Sequence, residues 1–193
     1  MNLFRGTGEH IAGVTELGLE LWPPATYNPR MTISTVRLLQ HMAWANQKVY
    51  QSVQSLPDES LESFIVNPEW TAKQILRHIT SGADWYLYCL EGGSLQEIRR
   101  PSNMSDVANL AKILAASDSE IIKSGNSGDE MLTISHKDKS RKNLRSTIIS
   151  QTIHHATEHR AQLIGALEFK GYKPINLDDI DLWAFESVYP NVT

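Results

Sequence analysis

The stretch LRSTIISQTIHHATEHRAQLIGALEFKGYKP, residues 144–174, decides the fold. Ile148, Ile149, Ile153, Ala156, Leu163, Ile164, Ala166 and Leu167 fall on one arc when the segment is wound at 3.6 residues per turn. The spacing predicts a helix over 144–170, roughly 40 Å long at ~1.5 Å per residue. Gly171 caps it and Pro174 follows, which is the usual punctuation of a helix end.

Three more helices precede it. Residues 31–56 carry an apolar stripe of Val36, Leu39, Met42, Ala43, Val49, Tyr50 and Val53, ended by Pro57. Residues 72–91 carry Ala72, Ile75, Leu76, Ile79, Ala83, Tyr86, Leu87 and Leu90 on one face. Thr71 and Gln74 have the spacing of a capping box, and Gly92 and Gly93 form the stop. A more polar helix is predicted over 104–124. Residues 125–143 read as a loop with a short strand at EMLTISH. Four helical segments without repeating strands give an all-α protein, an up-down four-helix bundle. Residues 1–30, rich in glycine and ending in WPPATYNPR, form an irregular N-terminal extension in this reading, and Met31 is a candidate translation start. The bundle domain then covers 31–193. Its acidic C-terminal tail, NLDDIDLWAFESVYP, is expected to lie along the helices, anchored by Trp183 and Phe185.

Composition bounds the function. The chain has 193 residues, 41% hydrophobic and 21% charged, with a formal net charge of −4. That balance points away from nucleic-acid binding, which usually needs a basic face. The basic run HKDKSRKNLR (136–145) is interrupted by Asp138 and reads as a solvated loop. No stretch long enough to span a bilayer is free of charge, so no membrane partner is expected. The lone Cys89 permits no intrachain disulfide, and with no signal peptide the expected location is cytoplasmic.

The chemistry lies in HHATEH. On the wheel of the last helix His159 sits inside one edge of the apolar arc. His155 lies just outside that edge one turn earlier, and His154 points away. Two imidazoles at i,i+4 can share a metal ion, but a stable catalytic site needs a third protein ligand. His78 flanks the stripe of the second helix at a matching edge. One turn on, Gly82 has no side chain to cover the ring and leaves room beside it. Cys89 lies on the same edge, but eleven residues beyond His78, roughly 16 Å along the axis, and cannot join the site. His41 reads as outward-facing, His10 falls in the extension and His136 in the loop.

Other metal chemistries fit less well. His155 to His159 spells H-x-x-E-H, in which Glu158 would be the general base of an inverzincin protease. Such enzymes need a further acidic ligand in a large downstream domain, and only 34 residues follow His159. Glu158 therefore reads first as a solvated carboxylate. A ferritin-like di-metal site fails for lack of paired Glu-x-x-His motifs.

These residues resemble the DinB/YfiT-like family of small bundle metalloproteins. ILRHITSGADWY is similar to its second-helix pattern, with His78 and Trp85. HATEHRAQL is similar to the H-x-x-x-H-R-x-Q of its last helix. Trp44, Ala45 and Asn46 match its W-A-N, and GYKP followed by an acidic, aromatic tail resembles the family's end. The resemblance covers about residues 31–188. It implies one divalent transition metal, Zn, Ni or Fe, held by His78, His155 and His159, the positions that the wheels select independently. It also implies a homodimer and thiol-dependent S-transferase, isomerase or hydrolase activity on a small molecule, with a low-molecular-weight thiol as co-substrate. Glu158 departs from the family, where His is frequent, as do the first thirty residues.

Two further residues are candidates for the chemistry. Asn46 falls within the stripe of the first helix, and its amide needs partners there. It either orients a ligand or substrate, or bonds to a neighbouring helix. Arg160 lies inside the apolar arc and needs a carboxylate. The favoured partner is Asp178, Asp179 or Asp181 of the tail; the alternative is a substrate's anionic group. A neutral three-His shell leaves a cation's charge uncompensated, which would make a thiolate or hydroxide available near neutral pH. The rival reading is a non-catalytic dimeric bundle, its metal structural or absent, acting in ligand sequestration or protein interaction.

Overall fold

The computed structural model describes residues 33–190, so the extension over 1–30, His10 and the candidate start at Met31 lie outside the described residues. Four long helices form the expected all-α bundle, although their directions do not alternate strictly up and down: α1 (Thr35–Gln54), α2 (Ala72–Glu91), α3 (Met104–Ser124) and α4 (Arg145–Phe169). Between α3 and α4 stands an antiparallel hairpin, β1 (Met131–His136) and β2 (Lys139–Leu144), paired from Met131↔Leu144 to His136↔Lys139. A 3₁₀ turn (Leu177–Ile180) and the short helix α5 (Leu182–Val188) make up the tail.

The chain path is visible in the contacts. Tyr50 on α1 meets Leu76 and Thr80 on α2, while Asn46 and Gln47 reach Asp118 and Ala111 on α3. Helices α2 and α4 run antiparallel, with Trp70 before α2 against Gln162 and Gly82 against His155. Because α3 returns to the end where α1 finishes (Met104 N–H donates to Asp58 Oδ1, 2.8 Å), α2 and α3 run parallel. Residues 92–103 make that possible by travelling back along α2. Asp84 accepts from the backbone and side chain of Gln96, and Arg77 donates to the Ile98 carbonyl.

The apolar stripes close into one core that includes Leu39, Met42, Val49, Leu76, Ile79, Leu114, Ile121, Leu163 and Leu167. Tyr50 is wholly buried, and its hydroxyl is satisfied by donating to the Leu76 carbonyl at 2.7 Å. The end of α4 forms as read. Gly171 is left-handed (φ +86°), its N–H donates to Glu168 O, and Tyr172 N–H donates to Leu167 O, the two bonds of a Schellman motif.

Several expectations are corrected. The capping box at Thr71 does not form: Thr71 makes no side-chain cap bond, and the helix end is tied instead by the Ala72 N–H donating to the Ser63 carbonyl. The basic run is not a loop but the turn and second strand of the hairpin; residues 137–142 are exposed as expected, whereas Arg145 is buried at the start of α4 and paired with Glu91 and Glu130. Its two-residue turn places Lys137 at φ +54°, a position more usual for Asn or Gly. Phe185 anchors the tail, buried against Trp44 and His41. Trp183 does not; it is 81% exposed. His41 is not free on an outer face, since its Nε2 lies 2.9 Å from the Ile180 carbonyl under that tail.

Candidate metal centre

The centre is built from the facing edges of α2 and α4. His78 projects from α2; His155 and His159, one turn apart, project from α4 to meet it. His78 Nε2 lies 3.0 Å from His155 Nε2 and 3.1 Å from His159 Nε2. One ligand nitrogen from each ring lies within 4.8 Å of the others, the only such cluster of three His, Cys, Asp or Glu among the described residues. His154 is exposed and takes no part.

Gly82 is what lets the rings converge. A Cβ there would lie 2.4 Å from His155 Cε1, far inside contact distance. The missing side chain is filled by the His155 ring itself, so Gly82 seats a ligand rather than leaving open space beside His78.

The ligand atoms are set by neighbours. The indole N–H of Trp70 can only donate, and it reaches Gln162 Oε1 at 3.1 Å. That fixes the Gln162 oxygen as an acceptor. His159 Nδ1, 2.8 Å from the same oxygen, must then carry the proton, which leaves the Nε2 lone pair facing the centre. Trp70 also packs edge-on against His78 and His159, with centroids 5.1 and 5.7 Å away, and Tyr86 packs against His155 at 5.4 Å.

Electrostatics favours the neutral form of His155 and His78. Burial, then the neighbouring His159 and His78, pushes His155 down to about 4. Burial and then His159 and Arg77 lower His78 as well. Crowded, partly desolvated imidazoles resist protonation, and neutral imidazole is the form that binds metals.

These residues fit a cation. Nitrogens ~2.0–2.1 Å from a tetrahedral metal would be roughly 3.3 Å apart. The observed 3.0 and 3.1 Å are close to that spacing without any rearrangement of the helices. Three neutral nitrogen donors with no carboxylate suit a transition metal better than Mg²⁺ or Ca²⁺, which prefer oxygen.

Residues 31–187 match the profile of the DinB family. The chain belongs to the DinB family. No curated protein matches it at a significant level. The match spans α1 to α5 and includes all three histidines.

The weaker candidates of this DinB-family chain separate clearly. Glu158 is exposed, but its charge is felt at His78. Asn46 and Arg160 are not part of the three-His cluster, although Asn46 lines a small cavity together with His155. Arg160 Nη1 donates to Asn46 Oδ1 at 2.6 Å, and Asn46 Nδ2 donates to Asp118 Oδ2 at 3.0 Å. Asn46 thus bonds to neighbouring helices. The expected tail carboxylates do not pair with Arg160, and its buried guanidinium is not presented to a substrate; its countercharge is Asp118 on α3. Burial raises Asp118 to about 6, against the lowering pull of Asn46 and Arg160. Sequence reading missed Asp118, because a lone Asp in a polar helix gives no signal of burial. It also missed Trp70, which lies outside every helical stripe and just ahead of α2.

Proposed function

We propose that this chain is a metal-dependent transferase of the S-transferase type, or a hydrolase, acting on a small molecule. The reading rests on three Nε2 atoms drawn together from two helices. His78, His155 and His159 hold one divalent transition ion, Zn, Ni or Fe. A cation bound there supplies Lewis acidity, lowering the pKa of a thiol or water. Gln162 and Trp70 orient His159, Gly82 admits His155, and the Trp70 and Tyr86 rings shield two sides of the centre from water. Glu158, at the exposed rim, is placed to move a proton. The lone, buried Cys89 supports a cytoplasmic setting. Among the described residues no helix is long and apolar enough to cross a membrane. Apolar side chains left open, such as Val66 (86% exposed) and Trp183, support pairing of two copies.

Elemental analysis of the purified chain tests the reading. One ion per chain is expected, lost in His78→Ala, with chelator abolishing turnover of a thiol substrate panel. A native chain without metal, binding none when Zn²⁺, Ni²⁺ or Fe²⁺ is added, ends it. A metal that shifts only the melting temperature leaves the rival, a structural site in a binding protein.

A further inference from the structure

A second cavity opens where the hairpin meets α2. It encloses about 320 Å³ and is lined by Trp85, Ile134, His136, Lys139, Ser140 and Arg141. That volume suits a small organic molecule. Its wall is the Trp85 indole, with His136 edge-on at 5.3 Å and the buried Ile134. The Arg141 guanidinium stands 6.0 Å over the Trp85 ring and reaches Cys89 on α2. The Tyr88 hydroxyl donates to the Ser135 carbonyl, which holds the hairpin against the helix.

The charge here runs against that of the chain. Lys137, Lys139, Arg141 and Lys142 face a single carboxylate in the hairpin, Asp138, within a protein of net charge −4. Among the described residues, no carboxylate forms an ion pair with Lys139 or Arg141. The other large cleft, about 590 Å³ beside Trp70, differs: there Lys73 is already paired with Glu62, and Glu69 offsets the charge of Arg100. Anion affinity is therefore concentrated at the hairpin.

Position ties this cavity to the metal centre. Trp85 lies seven residues after His78, two turns along the same side of α2 and ~10 Å along its axis. Gly82 lies between them, and the His155 ring fills the space its missing side chain leaves.

The geometry points to a subsite for an amphipathic organic anion, an apolar or aromatic body carrying a carboxylate or phosphate. Trp85 and Ile134 take the body, and Arg141 and Lys139 take the charge. This rests on the metal-centre reading in one respect: the substrate's other end would lie at the three histidines.

Calorimetric titration of the full chain with 4-phenylbutyrate and with its neutral amide tests the subsite. An exposed charge-assisted bond predicts about fivefold to tenfold tighter binding of the acid. The double variant Arg141→Gln/Lys139→Gln is expected to erase that preference while leaving amide binding within about twofold. Equal binding of acid and amide, survival of the preference in the double variant, or no saturable binding of either overturns the proposal. Repeating the titration on His78→Ala and on chelator-stripped native chain separates the two readings. A retained preference supports the hairpin subsite whether or not the metal reading stands. A preference lost on metal removal means that the acid binds the ion directly, and the subsite falls.

Discussion

The bundle carries two polar clusters with opposite logic. Arg160, Asn46 and Asp118 are all buried, and a chain of bonds links α4, α1 and α3, with Asp118 Oδ1 left buried and without a partner. His78, His155 and His159 lie at the half-buried α2–α4 edge, where three ring nitrogens able to ligate a metal converge. The first cluster is held together by bonds within the protein; the second has the donor set to coordinate a cation. Burial and charge alone would have favoured Arg160 and Asn46 as the functional residues. Convergent imidazole nitrogens are the better guide, because three of them can share one cation, whereas a buried guanidinium is held by its countercharge.

The largest expected effect breaks the ligand cluster. His78→Ala should abolish stoichiometric metal binding in elemental analysis, and Glu158→Gln should leave it intact. If His78→Ala still binds one tight equivalent, the centre lies elsewhere.

Next comes the closed cluster. Arg160→Met strands the Asp118 carboxylate in the core and should cost about 3 kcal/mol. That corresponds to a melting temperature lower by roughly 6–12 °C for a domain of this size. Metal stoichiometry below the transition should not change. Loss of metal in this variant would mean that the clusters are coupled rather than independent.

A smaller effect concerns Trp70. Trp70→Phe keeps the ring contacts but removes the bond to Gln162, freeing the acceptor that holds His159. Metal affinity should fall about tenfold, as for other groups that orient a ligand. Competition with a chromophoric chelator measures it; unchanged affinity would show that packing alone holds the ring.

The smallest is a pH effect on the metal-free protein. His155 has a folded pKa of about 4, below its ordinary 6.5. Above 6.5 both the folded and unfolded chains are neutral at this ring. Between 6.5 and 4 the unfolded chain takes up a proton that the folded chain refuses, so stability is lost as pH falls through that window. His155→Gln should flatten this part of the melting-temperature profile by a few degrees.

Much of this was legible in the sequence because helices write their periodicity locally. The limits of α2 and α3, the cap at Gly171 and the helix edges that carry the three histidines follow from spacing along single segments. What failed depended on partners distant in sequence. Thr71 has the right neighbours for a capping box, yet Ser63 satisfies the helix end instead. Trp183 and Phe185 look alike as anchors, and only the turn of α5 sends one inward and the other to solvent. The hairpin turn at Lys137 carries no glycine or asparagine to announce it.

The sequence by itself determined the four rods, the faces they bury and which imidazoles border those faces, since each depends on a repeat of 3.6 residues. Only the tertiary structure decided that Asp118 answers Arg160, that Trp70 and Gln162 fix the proton on His159, and that Gly82 seats His155. Those are contacts between segments far apart in the chain, and their geometry exists only after the helices have packed.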